Sequence, residues 1–254
     1  MKIVIIGSGN VATILGRLFI KNGHTVLQVM SRNKLTGESL ATELGSTYTN
    51  FEGNTNMDAD LYVVSLSDHV LFNLNKSFNL GDKLIVHTAG SVSKDVLSDV
   101  SSNYGVLYPF QTLSKENTVL PNIPILVDAN SEESIQKLEQ FTATLTPTVK
   151  RTTDEERVKL HMSGVVVSNF SNHLYMLAED FCKKEGVDFT LLYPLIQETA
   201  NRITQFSPLD VQTGPAIRND LYTIDKHLKL LSTHPKLKYI YLKLTDSIMN
   251  WKIT

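Results

Sequence analysis

The segment Gly7-Ser8-Gly9-Asn10-Val11-Ala12 follows an apolar run that starts at Lys2. It opens a stretch in which Val11, Ile14, Leu15, Leu18 and Phe19 fall at i, i+3, i+4, i+7 and i+8, the spacing of one helical face. Gly23 stands where such a helix would end. The next run, Thr25 to Met30, is again apolar and partly β-branched, so about 30 residues read as strand, tight turn, helix and strand. Each small residue has a physical task in that arrangement. Gly7 permits the turn, Gly9 lets the backbone approach a pyrophosphate, and Ala12 allows the helix to pack closely on the strand. The N–H groups of the helix start, at Ser8, Asn10 and Val11, then face the anion.

A dinucleotide site that takes NAD usually carries an Asp or Glu about 20 residues beyond the glycines, where it binds the ribose hydroxyls. Here residues 28 to 34 read Gln-Val-Met-Ser-Arg-Asn-Lys. Ser31, Arg32 and Lys34 therefore offer a hydroxyl and two cations to a 2′-phosphate, which predicts NADP. The alternative for Arg32 and Lys34 is a pair of solvated loop charges.

Short β-branched runs continue at Leu61 to Ser65, Lys83 to Thr88, Val106 to Tyr108, Ile123 to Val127 and Thr148 to Arg151. Between them, helical segments are predicted at Thr36 to Leu44, His69 to Asn75 and Glu132 to Leu145. This alternation predicts an α/β class, a Rossmann-type doubly wound parallel sheet. Beyond Asp154 the strand pattern stops and apolar residues recur at helical spacing, with breaks near Gly186, Ser207 to Pro215 and His234-Pro235. The expected organisation is a nucleotide-binding domain over residues 1–152 and an all-α C-terminal domain over 153–254.

Composition narrows the partners. Lys and Arg number 24 against 26 Asp and Glu, so no positive excess is available to neutralise a nucleic-acid backbone. No apolar stretch reaches the 18 to 20 or so residues of a membrane helix, and the run before Gly7 is too short for a signal peptide. A cytoplasmic location is expected. The single cysteine, Cys182, gives no disulfide and no zinc-ligand spacing; it reads as a buried, inert thiol, and no metal is expected.

Open α/β sheets bind ligands at the carboxyl ends of their strands, which draws attention to Ser65-Leu66-Ser67-Asp68 and to His87-Thr88-Ala89-Gly90-Ser91. Ser65, Leu66, Ser67, Thr88, Ala89 and Gly90 are candidates for cofactor contact, with helix capping the alternative for the two serines. His87 fits either a structural, hydrogen-bonded histidine or one that orients a ligand or transfers a proton. Tyr108-Pro109-Phe110-Gln111-Thr112 can wall the pocket or belong to the core.

Residues Glu155 to Lys184 read as one long helix with two stripes. Met162, Val166, Phe170, Leu174 and Leu177 form an apolar face expected to pack. His161, Gly164, Val165, Ser168, Asn169 and Asn172 form a small, polar one, which can border a cleft or face solvent or another subunit. His161 and Asn169 are candidate hydrogen-bond or proton donors to a substrate in a cleft between the domains. Further on, Gly214-Pro215 breaks the chain before Arg218-Asn219-Asp220. Asp220 can cap the following helix. Arg218 can clamp a substrate carboxylate, or pair with Asp220 to stiffen the loop.

Taken together, the phosphate loop, Ser65 to Asp68, His87 to Ser91, Tyr108 to Thr112, His161 with Ser168-Asn169-Phe170, and Thr213 through Asp220 resemble the bacterial Rossmann-like NADP oxidoreductases that carry a C-terminal helical domain of unknown function. The resemblance covers nearly the whole chain, and the N-terminal half is also similar to pyrroline-5-carboxylate, ketopantoate and deazaflavin-dependent reductases. It implies hydride transfer between a nicotinamide and a small carbonyl or imine, in a homodimer paired through the C-terminal helices. It names no substrate. No catalytic lysine or acid–base pair stands out in the sequence, which leaves a non-catalytic NADP-binding sensor or interaction protein as the alternative.

Overall fold

The computed structural model describes residues 1–74, 78–117 and 119–251. The chain divides into two compact units, the first Met1–Val166 and the second from Val167 onward.

The first unit is built on a sheet of β1 (Lys2–Ile6), β2 (Thr25–Met30), β3 (Thr47–Thr49), β4 (Leu61–Val64), β5 (Leu84–His87), β6 (Asn103–Pro109), β7 (Ile125–Ala129) and β8 (Val149–Arg151). The spatial order is β3-β2-β1-β4-β5-β6-β7-β8, and only the β6–β7 pair is antiparallel. Its helices are α1 (Asn10–Lys21), α2 (Lys34–Glu43), α3 (Asp68–Leu71), α4 (Glu132–Ala143) and α5 (Asp154–Gly164).

The central strands are almost wholly apolar because both faces of the sheet are covered. Ile3, Ile5, Leu61, Val63 and Val86 pack with α1, α2 and α4 through Ile14, Leu15, Phe19, Leu40, Leu138 and Phe141. Val4, Ile6, Tyr62, Val64 and Ile85, one residue out of phase, pack on the opposite face with Leu71, Leu80, Leu97 and Val100. Each such side chain contributes about 1.5–3 kcal/mol by leaving water. α1 ends as its sequence requires, with Gly23 at φ +78° and its N–H bonded to the Ile20 carbonyl.

Every strand expected from the sequence is present, with ends displaced by up to three residues. The sequence reading missed β3, a partly exposed three-residue strand that pairs only with β2. The helix expected over His69 to Asn75 is helical at Asp68–Leu71, and Asn75 lies outside the described residues.

A π-helical segment, Val165–Phe170, follows α5. The second unit then comprises α6 (Ser171–Glu185), a 3-10 turn at Phe189–Leu192, α7 (Tyr193–Arg202), α8 (Leu221–Leu230) and α9 (Pro235–Met249). Among its described residues the buried apolar side chains are few: Cys182, Ala216, Ile224 and Leu231. Val167, Phe170, Met176, Leu191, Leu195, Tyr222, Leu230 and Tyr239 are each more than half exposed. Of the apolar stripe expected to pack, Met162, Val166 and Phe170 are exposed, while Leu174 and Leu177 are partly buried. No described helix is long and apolar enough to cross a membrane.

Candidate active site

The strand order reverses between β1 and β4, and parallel α/β sheets bind dinucleotides in the crevice at such a point. Register aligns the strand ends there. Ile6 lies beside Val64, and Val64 beside His87, so Gly7, Ser65 and Thr88 leave the sheet at one level. Their N–H groups continue the ladder, Gly7 to the Met30 carbonyl at 2.8 Å, Ser65 to Ile6 at 2.7 Å and Thr88 to Val64 at 3.1 Å.

At the first of these exits Gly7 adopts φ +129°, and a Cβ there would collide with the Ser65 carbonyl oxygen. No other residue fits. Above Gly9, by contrast, a Cβ would meet nothing, so the space over the loop is open. α1 begins without a side-chain cap and without an acidic residue in its first turn, leaving its N-terminal N–H groups and the positive end of its dipole to an anion. A pyrophosphate fits this cradle.

The end of β2 is joined to the same loop. Ser8 Oγ lies 2.7 Å from Ser31 Oγ and 2.7 Å from Thr36 Oγ1. Ser31 is buried, and α2 starts directly after it with Asn33 accepting from the Thr36 N–H. Arg32 and Lys34 project into solvent beside this hydroxyl cluster, and Lys34 makes only a loose 3.8 Å pair with Glu38. The cations are therefore free to meet a phosphate at the start of α2. Ser67 is the residue preceding α3 but makes no side-chain cap. Ser65 Oγ instead accepts from Thr88 Oγ1 at 3.4 Å.

Past β5, the loop Thr88-Ala89-Gly90 is buried and is held by His87. Its ring Nδ1 accepts the Ala89 N–H at 3.1 Å and its Nε2 donates to the Ser93 carbonyl at 3.2 Å. The ring is fully buried. Burial first, then the positive charge of Arg157, pushes its pKa down to about 4. The imidazole is neutral with both nitrogens committed to backbone, and its geometry serves the loop.

α5 is clamped to the same loop by Arg157. This guanidinium is fully buried, donates through Nη2 to the Val92 carbonyl and, at 2.6 Å, to Asp154. Asp154 also accepts from Ser93 Oγ at 2.5 Å. Burial alone would raise the Asp154 pKa, but the Ser93 and Arg157 bonds outweigh it and hold it below the usual carboxylate value. Nothing in the charged run Asp154-Glu155-Glu156-Arg157 distinguishes this buried arginine from a solvated one, and the sequence reading missed it.

One helical turn beyond Arg157, on the same face, stands His161. Its Nδ1 lies 2.8 Å from Tyr108 Oη, and the two rings meet edge to face with centroids 5.9 Å apart. Both sit over Gly90, where a Cβ would come within 2.5 Å of His161 Nδ1 and 2.9 Å of Tyr108 Cζ. Phe110 flanks the pair, with its ring centroid 6.0 Å from that of Tyr108. The sequence offered Tyr108 only as pocket wall or core; the structure pairs its phenol with the imidazole of His161, and such a pair can exchange a proton. Asn169 lies exposed in the π-helical segment of the second unit. Arg218 is exposed on the loop before α8, while Asp220 caps that helix through Thr223 at 3.0 Å and 2.8 Å.

The fold and cradle define a Rossmann-type dinucleotide-binding protein. Comparison with known families is more particular. Residues 2–90 match the family described as NADP oxidoreductase, coenzyme F420-dependent, and residues 123–248 match domain of unknown function 2520. No curated protein matches the chain. Among solved structures, a Bacteroides fragilis protein provisionally named an NADP oxidoreductase is 37% identical, with 98% of each chain covered and a TM-score of 0.92. A reductive aminase from Aspergillus terreus, solved with NADPH and ethyl-5-oxohexanoate, is 17% identical, with 97% of this chain and 92% of that chain covered, at a TM-score of 0.70. The 1-pyrroline-5-carboxylate reductase of Streptococcus pyogenes is 14% identical over 99% of each chain, at 0.64. At those identities the latter two establish likeness of fold. The chain belongs to the NADP oxidoreductase family that carries a C-terminal domain of unknown function 2520, and its cofactor is NADP.

Proposed function

We propose that the protein is an NADPH-dependent reductase of a small carbonyl or imine compound. The observation that carries this reading is the Tyr108–His161 pair, held over Gly90 on the loop that leaves the sheet level with the glycine cradle. A nucleotide sensor needs the cradle but has no use for an acid–base pair beside it.

Gly7, Ser8, Gly9, Asn10, Val11 and Ala12 hold the pyrophosphate, and Ser31, Arg32 and Lys34 take the 2′-phosphate. Ser65, Leu66, Ser67, Thr88, Ala89 and Gly90 line the way toward the reacting end. The bound cofactor supplies hydride, as nicotinamides do. The protein must then stabilise negative charge on the acceptor heteroatom with a donor within about 3 Å, and His161 with Tyr108 provides it. His87 positions the loop. Asn169 and Arg218 enter as polar side chains of the second unit whose replacement belongs in the same activity series.

The apolar surface of the second unit supports a homodimer formed through its helices, since two-fold pairing is the commonest closed assembly and large exposed apolar patches mark interfaces.

The test is NADPH binding by nicotinamide fluorescence, beside NADPH oxidation with a panel of 2-oxo acids, aldehydes, ketones and imines. Turnover of a panel member is expected, as is a preference for NADPH over NADH of roughly ten- to a hundred-fold that Arg32→Ala reduces. Tight binding with no turnover of any acceptor would overturn the reductase reading, and equal affinity for the two cofactors would overturn the role of Arg32.

A further inference from the structure

Tyr108 Oη and His161 Nδ1 lie 2.8 Å apart, and the shared proton admits two arrangements. In one, the phenol donates to the imidazole and its proton points away from any substrate. In the other, Nδ1–H donates to Oη, and the phenol proton is free to turn toward a substrate oxygen. We infer that the second arrangement operates, that Tyr108 is the proton donor and His161 the relay that recharges it, and that the preferred substrate is therefore a neutral acceptor, an aldehyde or ketone, rather than a preformed iminium cation. The inference rests on the reductase reading and adds to it the donor and the acceptor class.

Three features favour this division of labour. Oη is the outer end of a side chain on β6, and the ring packs directly on Gly90, whose missing Cβ lets the phenol and the imidazole take up this position. His161 sits on a helix, partly exposed to water, so Nε2 can exchange protons while Nδ1 faces Tyr108. Tyr108 is half-buried. Burial raises its pKa and the charge of Arg157 offsets only part of the rise, which keeps the phenol protonated before reaction and makes the phenolate, once formed, take up a proton again.

The proton balance is closed. When hydride has reached the carbonyl carbon, the C=O π pair moves to oxygen. That oxygen takes the proton as the Tyr108 O–H bond breaks, leaving a phenolate. His161 Nδ1–H protonates the phenolate as Nε2 takes a proton from solvent, which leaves the Nε2–H tautomer; exchange with water returns the proton to Nδ1 before the next turnover, so one alcohol forms for one hydride and one solvent proton consumed. Reduction of an iminium cation gives an amine without any proton delivered, so it needs neither residue.

The deciding measurements use the full chain. In ¹⁵N-histidine NMR of the free and NADP⁺-bound protein, His161 Nδ1 is expected to be the protonated nitrogen at neutral pH, with its signal altered by Tyr108→Phe. An unprotonated Nδ1 accepting from the phenol would overturn the inference without reference to turnover. In kinetics, Tyr108→Phe is expected to lower kcat for ketone or aldehyde reduction about 100-fold or more, with NADPH affinity unchanged and reduction of a cyclic N-methyl iminium salt within a few-fold of the unaltered protein. Equal losses on both acceptors would mark Tyr108 as merely structural, and no loss on either would remove it from the reaction; each overturns the inference and leaves the reductase reading standing. Failure of the unaltered protein to reduce any acceptor would overturn both.

Discussion

Acidification gives the sharpest test of the buried His87. In an unfolded chain an imidazole takes up its proton near pH 6.5, whereas in the folded protein His87 does so only at about 4, held neutral by burial and by the charge of Arg157. Between those values the unfolded chain carries one proton more than the folded one, so falling pH favours unfolding. The stabilisation from keeping His87 neutral is fully present above pH 6.5 and is lost as the pH drops toward 4. At 1.36 kcal/mol per pH unit, the full gap corresponds to about 3 kcal/mol, with about 2 kcal/mol already lost by pH 5. That is a large share of the 5–15 kcal/mol or so by which domains are stable. Urea unfolding at pH 7.5, 6.5, 5.5 and 4.5 measures it, provided the protein is compared with His87→Gln, which keeps an amide to donate to Ser93 but cannot titrate. The common contributions of Asp154 and the other carboxylates cancel in that comparison. The expected result is a shallower pH dependence in the variant by the stated amount. Parallel curves for the two proteins, or a His87 ring resonance that titrates near pH 6.5, would refute the reasoning.

Gly90→Ala places a methyl group 2.5 Å from His161 Nδ1 and 2.9 Å from Tyr108 Cζ. Overpacking of this kind costs about 1–3 kcal/mol, and steady-state kinetics should show turnover reduced more than ten-fold; normal turnover would mean the pair is not held against Gly90. Sedimentation at micromolar concentration should give twice the 28.4 kDa chain mass, because the second unit leaves most of its large apolar side chains at its surface. A monomer would remove the homodimer from the proposal.

Local spacing alone dictated much of this protein. A turn that must pass through φ +129° against a neighbouring carbonyl demands glycine, and an apolar repeat at i, i+3, i+4 and i+7 demands a buried helical face. Gly7 to Ala12 and α1 were therefore legible from residue order. So were the central strands, whose unbroken apolar runs reflect burial on both sides. β3 was not, because Thr47-Tyr48-Thr49 is too short to show a period and gains its place only by pairing with β2.

The tertiary structure alone decided the rest. Tyr108 and His161 are 53 residues apart in sequence, and their meeting depends on where β6 ends and how α5 is clamped to the β5 loop. Arg157 occurs in a run that reads as a solvated helix start, and its burial follows from contacts with Val92 and Asp154 that no periodicity encodes. His87 had a structural and a functional reading of equal standing until both its nitrogens were seen to bond backbone. The helical stripe of Met162, Val166 and Phe170 was visible as apolar, but periodicity specifies only that a face avoids water. Which surface it meets is a property of the assembled fold, and in the single chain that face stays exposed.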